Sequence, residues 1–195
     1  PTQPAEALEP SPPPARPLAG RLLGRSLAVI AATALAALVI AGLGFGIPAQ
    51  ASIVNTRTTL ALPADRVAMT WLRANLPADS VVVVNSWYWQ DGLWSASDGG
   101  IWIWTQAGLR TTTPPADYYY DPVWARQIND WNARWAKVED MGSPEALALL
   151  REAGATHLYL GAVPGRVKPE MLAAAPDRYK PLYERDGVRV YAIVP

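Results

Sequence analysis

The chain has 195 residues, half of them hydrophobic, with 17 basic and 17 acidic side chains, which leaves room for one globular domain and extra segments. This balance argues against a nucleic-acid binder, which needs a basic face with clustered Lys and Arg. The absence of Cys excludes disulfides and thiolate metal sites, and His157, the only histidine, cannot anchor an imidazole metal site, so no metal and no cofactor are expected.

The chain starts at Pro1 rather than Met, as a fragment or a processed product would. Residues 1–17 hold seven prolines and no apolar periodicity, and with the residues up to 26 they read as a solvated, Pro-rich linker. Leu27 to Ile47 then runs 21 residues without a charge, long enough as a helix to cross roughly 30 Å of hydrocarbon. Arg16, Arg21 and Arg25 precede this span and Arg57 is the first basic residue after it, so the positive-inside rule puts residues 1–26 in the cytoplasm and residues 52–195 outside. A secretory signal peptide is the competing reading, because Ala49-Gln50-Ala51 matches the small-x-small cleavage pattern. The apolar run is longer than a signal core of roughly 7–15 residues, and both readings deliver residues 52–195 to the same side.

That outer segment carries 14 basic and 15 acidic residues. Ala64–Asn75 places Val67, Trp71 and Leu72 at helical spacing and must stop before Pro77, which denies α geometry to Leu76. Val81–Val84 is a continuous β-branched run, the mark of a buried central strand. Ser97-Asp98-Gly99-Gly100 precedes a short helix that Gly108 ends, and Leu109–Thr113 suits another strand. Pro122–Val138 is a helix with Trp124, Ile128, Trp131 and Trp135 on one face. Ser143-Pro144-Glu145 starts the next helix with a cap, a first-turn proline and an acid favourable to the dipole, and Gly154 ends it. Thr156–Leu160 is a strand and Pro169–Ala175 a short helix. Tyr179–Arg185 and Val188–Val194 flank the hairpin dipeptide Asp186-Gly187. Strand–helix–strand units imply an α/β domain of three layers, its sheet mostly parallel and its end a β-hairpin. No Gly-rich phosphate fingerprint follows the Val81–Val84 strand.

Five of the nine Trp residues fall in Asn85–Pro115. Trp87, Trp89 and Trp94 lie beyond the C-terminal end of a parallel strand, where open α/β sheets place ligands. They suit stacking on sugar rings, contact with lipid headgroups, or core packing; Tyr118–Tyr120 share these options. Asp98 suits a helix cap, and also a general acid or an acceptor for a sugar hydroxyl, while Asp91 before Gly92 suits a turn better than catalysis. A paired-carboxylate glycosidase formed by residues 52–195 alone would need two acids about 5–9.5 Å apart. Arg110 suits a bidentate contact to a lipid phosphate or plain solvation, Trp124, Trp131 and Trp135 suit packing, and His157 suits a structural role.

Several stretches resemble the C-terminal end of bacterial multi-pass membrane glycosyltransferases of the GT-C type, the protein-mannosyltransferase-like enzymes that use polyprenyl-phosphate sugars. They are the apolar span, Trp71-Leu72-Arg73 leading to Asn75-Leu76-Pro77-Ala78-Asp79-Ser80 and Val81–Val84, then Ser97-Asp98-Gly99-Gly100 with Trp102, Gly108–Pro115, and the Tyr183–Val190 hairpin. The similarity covers about residues 27–195; the Trp- and Tyr-rich stretch Asp117–Gly142 has no counterpart. It implies a fragment from the bacterial cell membrane whose outer domain helps hold a lipid-linked sugar donor or a glycan or protein acceptor. The family's catalytic acid lies in a loop near the start of the membrane region, so no catalytic residue carries over to this chain. Ligand contact is then expected from Trp87, Trp89, Trp94, Asp98 and Arg110, with the lipid bilayer as a second partner. The alternative is a membrane-anchored binding or structural module with no catalytic role.

Overall fold

The computed structural model describes residues 18–51, 53 and 58–194; the Pro-rich segment 1–17 lies outside the described residues. The chain divides into two units between Asn55 and Thr56.

The first unit contains one helix, α1 (Leu18–Ala51), whose stretch Ser26–Ala51 is long and apolar enough to cross a membrane. Its apolar side chains, Leu35, Leu38 and Ile40 among them, are exposed.

The second unit is an α/β domain. Its first helix, α2 (Pro63–Asn75), begins with proline at its first position, where no N–H partner is needed, and buries Ala68, Met69 and Leu72. Leu76 leaves the helix in an extended conformation (φ −97°, ψ 146°), as the following Pro77 demands. A five-stranded sheet then forms from β1 (Val81–Val83), β4 (Arg110–Thr111), β5 (His157–Leu160), β6 (Tyr179–Arg185) and β7 (Val188–Ile193), in the spatial order β4-β1-β5-β7-β6. β1 is parallel to both β4 and β5, with Val81 opposite Arg110 and Val82 opposite His157. β7 is antiparallel to β5 and to β6. The sheet is therefore evenly mixed, less parallel than the strand–helix pattern suggests. The tight turn at Asp186 (φ 49°) and Gly187 (φ 86°) folds β7 back between β5 and the edge strand β6.

The helices α3 (Pro122–Trp135), α4 (Pro144–Glu152) and α5 (Pro169–Ala173) complete the domain. Strand alternation divides the core between the two faces of the sheet. Val83, Leu158, Leu160 and Tyr191 pack with Trp131, Trp135, Met141, Leu149, Leu150 and Leu172 of the α3–α4–α5 layer. Val82, Val84, Tyr159, Val188 and Val190 pack with Ala68, Met69, Leu72 and Ile103 of the α2 layer. The three layers follow from this period of two. Asp121 caps α3 by accepting from Val123 and Trp124 N–H, and Ser143 caps α4 by accepting from Ala146 N–H.

Two local features depart from the sequence reading. Ser86–Ala96 forms its own hairpin, β2 (Ser86–Gln90) and β3 (Leu93–Ala96), outside the main sheet. Asp91 (φ 47°) and Gly92 (φ 79°) make its turn. The segment after Asp98 is a 3-10 turn, Gly99–Trp102, running into a π-helical turn, Ile103–Ala107, and Gly108 ends it in the left-handed conformation (φ 72°).

Trp135 is fully buried and stacks on Trp131 with ring centroids 5.3 Å apart. Trp135→Ala is expected to cost about 3–5 kcal/mol of stability. Val123→Ala, at an exposed position, should cost less than about 0.5 kcal/mol. Urea unfolding of the two variants beside the parent chain measures both.

Candidate functional site

The C-terminal ends of β1 and β5 are where an open α/β sheet leaves a ligand crevice. Here that crevice is filled by two buried carboxylates and their partners. Asp65, on the first turn of α2, is 1% exposed, and Asp98, the cap of the 3-10 turn, is 0% exposed. Asp65 Oδ1 accepts from the Tyr159 hydroxyl at 2.6 Å and from Ala162 N–H at 3.0 Å, while its Oδ2 accepts from Leu62 N–H at 2.6 Å. Asp98 Oδ1 accepts from Gly100 N–H at 2.9 Å, and its Oδ2 accepts from Gly161 N–H at 3.0 Å and the Asn85 amide at 3.3 Å. Asn85, just past β1, also accepts from Val167 N–H at 2.8 Å.

Glycines make room for this knot. A Cβ on Gly99 would stand 2.4 Å from Asp65 Oδ1, and one on Gly165 would stand 2.3 Å from Asn85 Cγ. Asp98 is thus the helix cap that the sequence allows, and at 0% exposure its carboxylate is closed to a ligand. Burial pushes its carboxyl up to about 6, against the pull of the N–H groups of Gly161 and Gly100 and the Asn85 amide. Burial, and then the adjacent Asp65 carboxylate, push the Tyr159 phenol well above its ordinary value.

Trp87 and Trp89 of the β2–β3 ribbon are both 47% exposed and Tyr88 is exposed as well, the strand pairing shifting register between Tyr88 and Gln90, at Trp89. They stand on a hairpin, not on a loop. Trp94, half-buried, pairs across the ribbon with Tyr88, ring centroids 5.9 Å apart. The ribbon is fixed to the domain by polar contacts. Ser86 donates to Asn132 Oδ1 of α3 at 2.6 Å, and Trp94 N–H donates to the buried Tyr118 hydroxyl at 2.8 Å.

Arg110 belongs to neither place. It lies on the edge strand β4, exposed, and donates through Nη2 to the Asp79 carbonyl at 3.0 Å. It lines an open groove of about 470 Å³ together with Trp104, Trp124, Gln127 and Glu152. Trp124 is exposed in that groove, and Trp131 of the same helical stripe lines it too although largely buried, whereas Trp135 lies in the core. A larger hollow of about 730 Å³ runs along α2, lined by Pro63, Arg66, Val67 and Trp102.

The five expected contact residues therefore fall in three separate places: the hairpin (Trp87, Trp89, Trp94), the buried knot (Asp98) and the edge groove (Arg110). Sequence reasoning missed Asp65, Asn85 and Tyr159 in the knot. The available signals were an acid at the start of an amphipathic helix and an Asn directly after a buried strand. It also missed Trp104 and Gln127 of the groove. His157 is half-buried, with its Nδ1 2.9 Å from the Thr156 hydroxyl, and burial lowers its pKa, as suits a structural histidine. Among the described residues no group of three or more His, Asp or Glu is placed to hold a metal ion. No family model matches the chain, and no curated protein or solved structure shows significant similarity to it.

The raised carboxyl of Asp98 sets the sign of a pH effect. Its folded value, about 6, lies above the ordinary 3.8, so the folded state holds the proton more tightly than the unfolded one. The stability from this group is fully present below about 3.8 and is lost as pH rises through about 6, a total of about 3 kcal/mol by linkage. Asp98→Asn should lower stability overall, because the amide presents N–H groups to the Gly161 or Gly100 N–H. The stability of the wild type relative to Asp98→Asn should fall by most of that amount, about 2 kcal/mol, between pH 4 and pH 6.5. Urea unfolding of both proteins across this range tests it, and a constant difference would contradict the assignment.

Proposed function

We propose that this chain is the C-terminal part of a membrane glycosyltransferase that uses a polyprenyl-phosphate sugar. In this reading α1 is its last membrane helix and residues 58–194 form an extracytoplasmic, non-catalytic domain that positions donor or acceptor. The observation that carries the reading is the contrast between the acids and the aromatics of the domain. Asp65 and Asp98, its two most buried acids, are consumed by internal hydrogen bonds. Trp87 and Trp89 are instead held exposed on a ribbon that Ser86 and Tyr118 fix in place. An exposed pair of indoles on a rigid support costs hydration free energy and gains it back on contact with a sugar face or an acyl–headgroup boundary.

The resemblance to GT-C enzymes adds the reaction class and places the chemistry in a preceding membrane region. A lipid-linked sugar has both an apolar and a sugar portion, and Trp offers an apolar ring with one N–H donor to each. The longer coding sequence is then expected to hold further apolar spans upstream, with an acidic residue in the first outer loop.

In the full-length enzyme, Trp87→Ala/Trp89→Ala should lower kcat/KM for sugar transfer by about three- to thirtyfold, the loss of one or two aromatic contacts. Near-wild-type expression and an unchanged thermal unfolding transition are expected alongside. Unchanged transfer removes the positioning role of the hairpin, and glycoside hydrolysis by residues 52–195 alone would replace the reading with a glycosidase.

A further inference from the structure

The groove at the β4 edge differs from the hairpin in combining aromatic faces with fixed polar groups. Trp104 stands on the π-helical turn and Trp124 on the first turn of α3. Their ring centroids are 6.2 Å apart and their planes inclined by 50°, and each residue is 37% exposed. Trp124 is backed by the ring of the fully buried Tyr118, centroids 6.2 Å apart and planes at 69°. Around this pair stand Arg110, Gln127 and Glu152. Arg110 is steadied by the Asp79 carbonyl, and Glu152 by the guanidinium of Arg134, which grips both of its carboxylate oxygens.

We propose that this groove is a binding site for a pyranose ring of a neutral glycan. A sugar ring presents C–H bonds of partial positive charge on its face and hydroxyls around its rim. An indole face carries the complementary negative potential, so Trp104 and Trp124 serve the face. The rim needs both donors and acceptors: Arg110 supplies free N–H groups, Glu152 accepts, and Gln127 does both. The volume of about 470 Å³ suits one or two sugar rings. An apolar peptide would leave Arg110, Gln127 and Glu152 dehydrated without partners, and a phosphate would meet the Glu152 carboxylate. Because Trp124, Arg110 and Glu152 are already held by neighbours, little side-chain freedom is lost on binding. The site rests on the glycan-positioning role proposed above and gives that role a place for the acceptor.

The test is binding of neutral trisaccharides (mannotriose, maltotriose and galactotriose) to the full chain in detergent, by calorimetry and saturation-transfer NMR, with inorganic phosphate as the charged control. At least one trisaccharide should bind saturably at millimolar concentration or below. Trp104→Ala and Trp124→Phe should each weaken it, the first by about tenfold, and Gln127→Ala, which removes no core contact, by about threefold. The proposal is overturned if no trisaccharide saturates, if phosphate alone binds, or if Trp104→Ala and Gln127→Ala bind as the parent does. A full-length enzyme that needs this domain for transfer while the groove binds no glycan would refute the groove and leave the positioning role standing. Glycan binding in a chain with no transferase upstream would do the reverse.

Discussion

The domain is organised around the requirement that two buried carboxylates be satisfied. Removing an unpaired ionised acid from water costs far more than a single packing contact returns, so each oxygen of Asp65 and Asp98 must find donors. The donors come from segments far apart in sequence: Leu62, Gly100, Tyr159, Gly161 and Ala162, with Asn85 joining Asp98 to Val167. Closing this network fixes the start of α2, the end of β1, the 3-10 turn and the chain beyond β5 relative to one another. It also explains the glycines at 99, 161 and 165, where a Cβ would collide with Asp65, Asp98 or Asn85.

The knot has a functional consequence. It occupies the strand ends where an α/β sheet of this kind would open a crevice, and the grooves described above lie elsewhere on the domain. Two peripheral features are held rigidly enough to serve. The hairpin is clamped at Ser86 by Asn132 and at Trp94 by Tyr118, and the same Tyr118 ring supports Trp124 in the edge groove. Asn132 also accepts from the Thr113 hydroxyl at 2.9 Å, which links the clamp to the segment just after the strand that carries Arg110. Hairpin and groove are thus supported by a common set of side chains, and loosening Tyr118 or Asn132 would disturb both.

Local signals were enough for most elements. The valine run at 81–84, the Ser143 cap, the helix stops at Gly108 and Gly154, and the Asp186-Gly187 turn each carry their own chemistry, and each lies where that chemistry puts it. The β2–β3 hairpin escaped because Trp87-Tyr88-Trp89 is aromatic at every position and shows no alternation of two, although Asp91-Gly92 was legible as a turn. The knot escaped for a different reason. Asp65 meets Ala162 across 97 residues and Asn85 meets Val167 across 82; no local pattern encodes such pairings. The separation of Trp124 from Trp131 and Trp135 was also hidden, since all three share a helical stripe and only tertiary packing decides how far that stripe is covered.

Near-neutral charge constrains how the exposed aromatics can act. With 14 basic and 15 acidic residues, the chain beyond position 52 has little net field to gather a charged ligand from a distance. Recognition by indole faces is short-ranged and weak per contact, of the order of 1 kcal/mol. Such a surface is useful when its ligand is already confined nearby, so that a high effective concentration replaces intrinsic affinity. The glycan or lipid-linked sugar of the proposed function would meet that condition if confined beside the domain. A freely diffusing metabolite would instead favour a deep, enclosed pocket, and the strand-end position where an α/β sheet would build one is filled here by Asp65, Asp98 and Asn85.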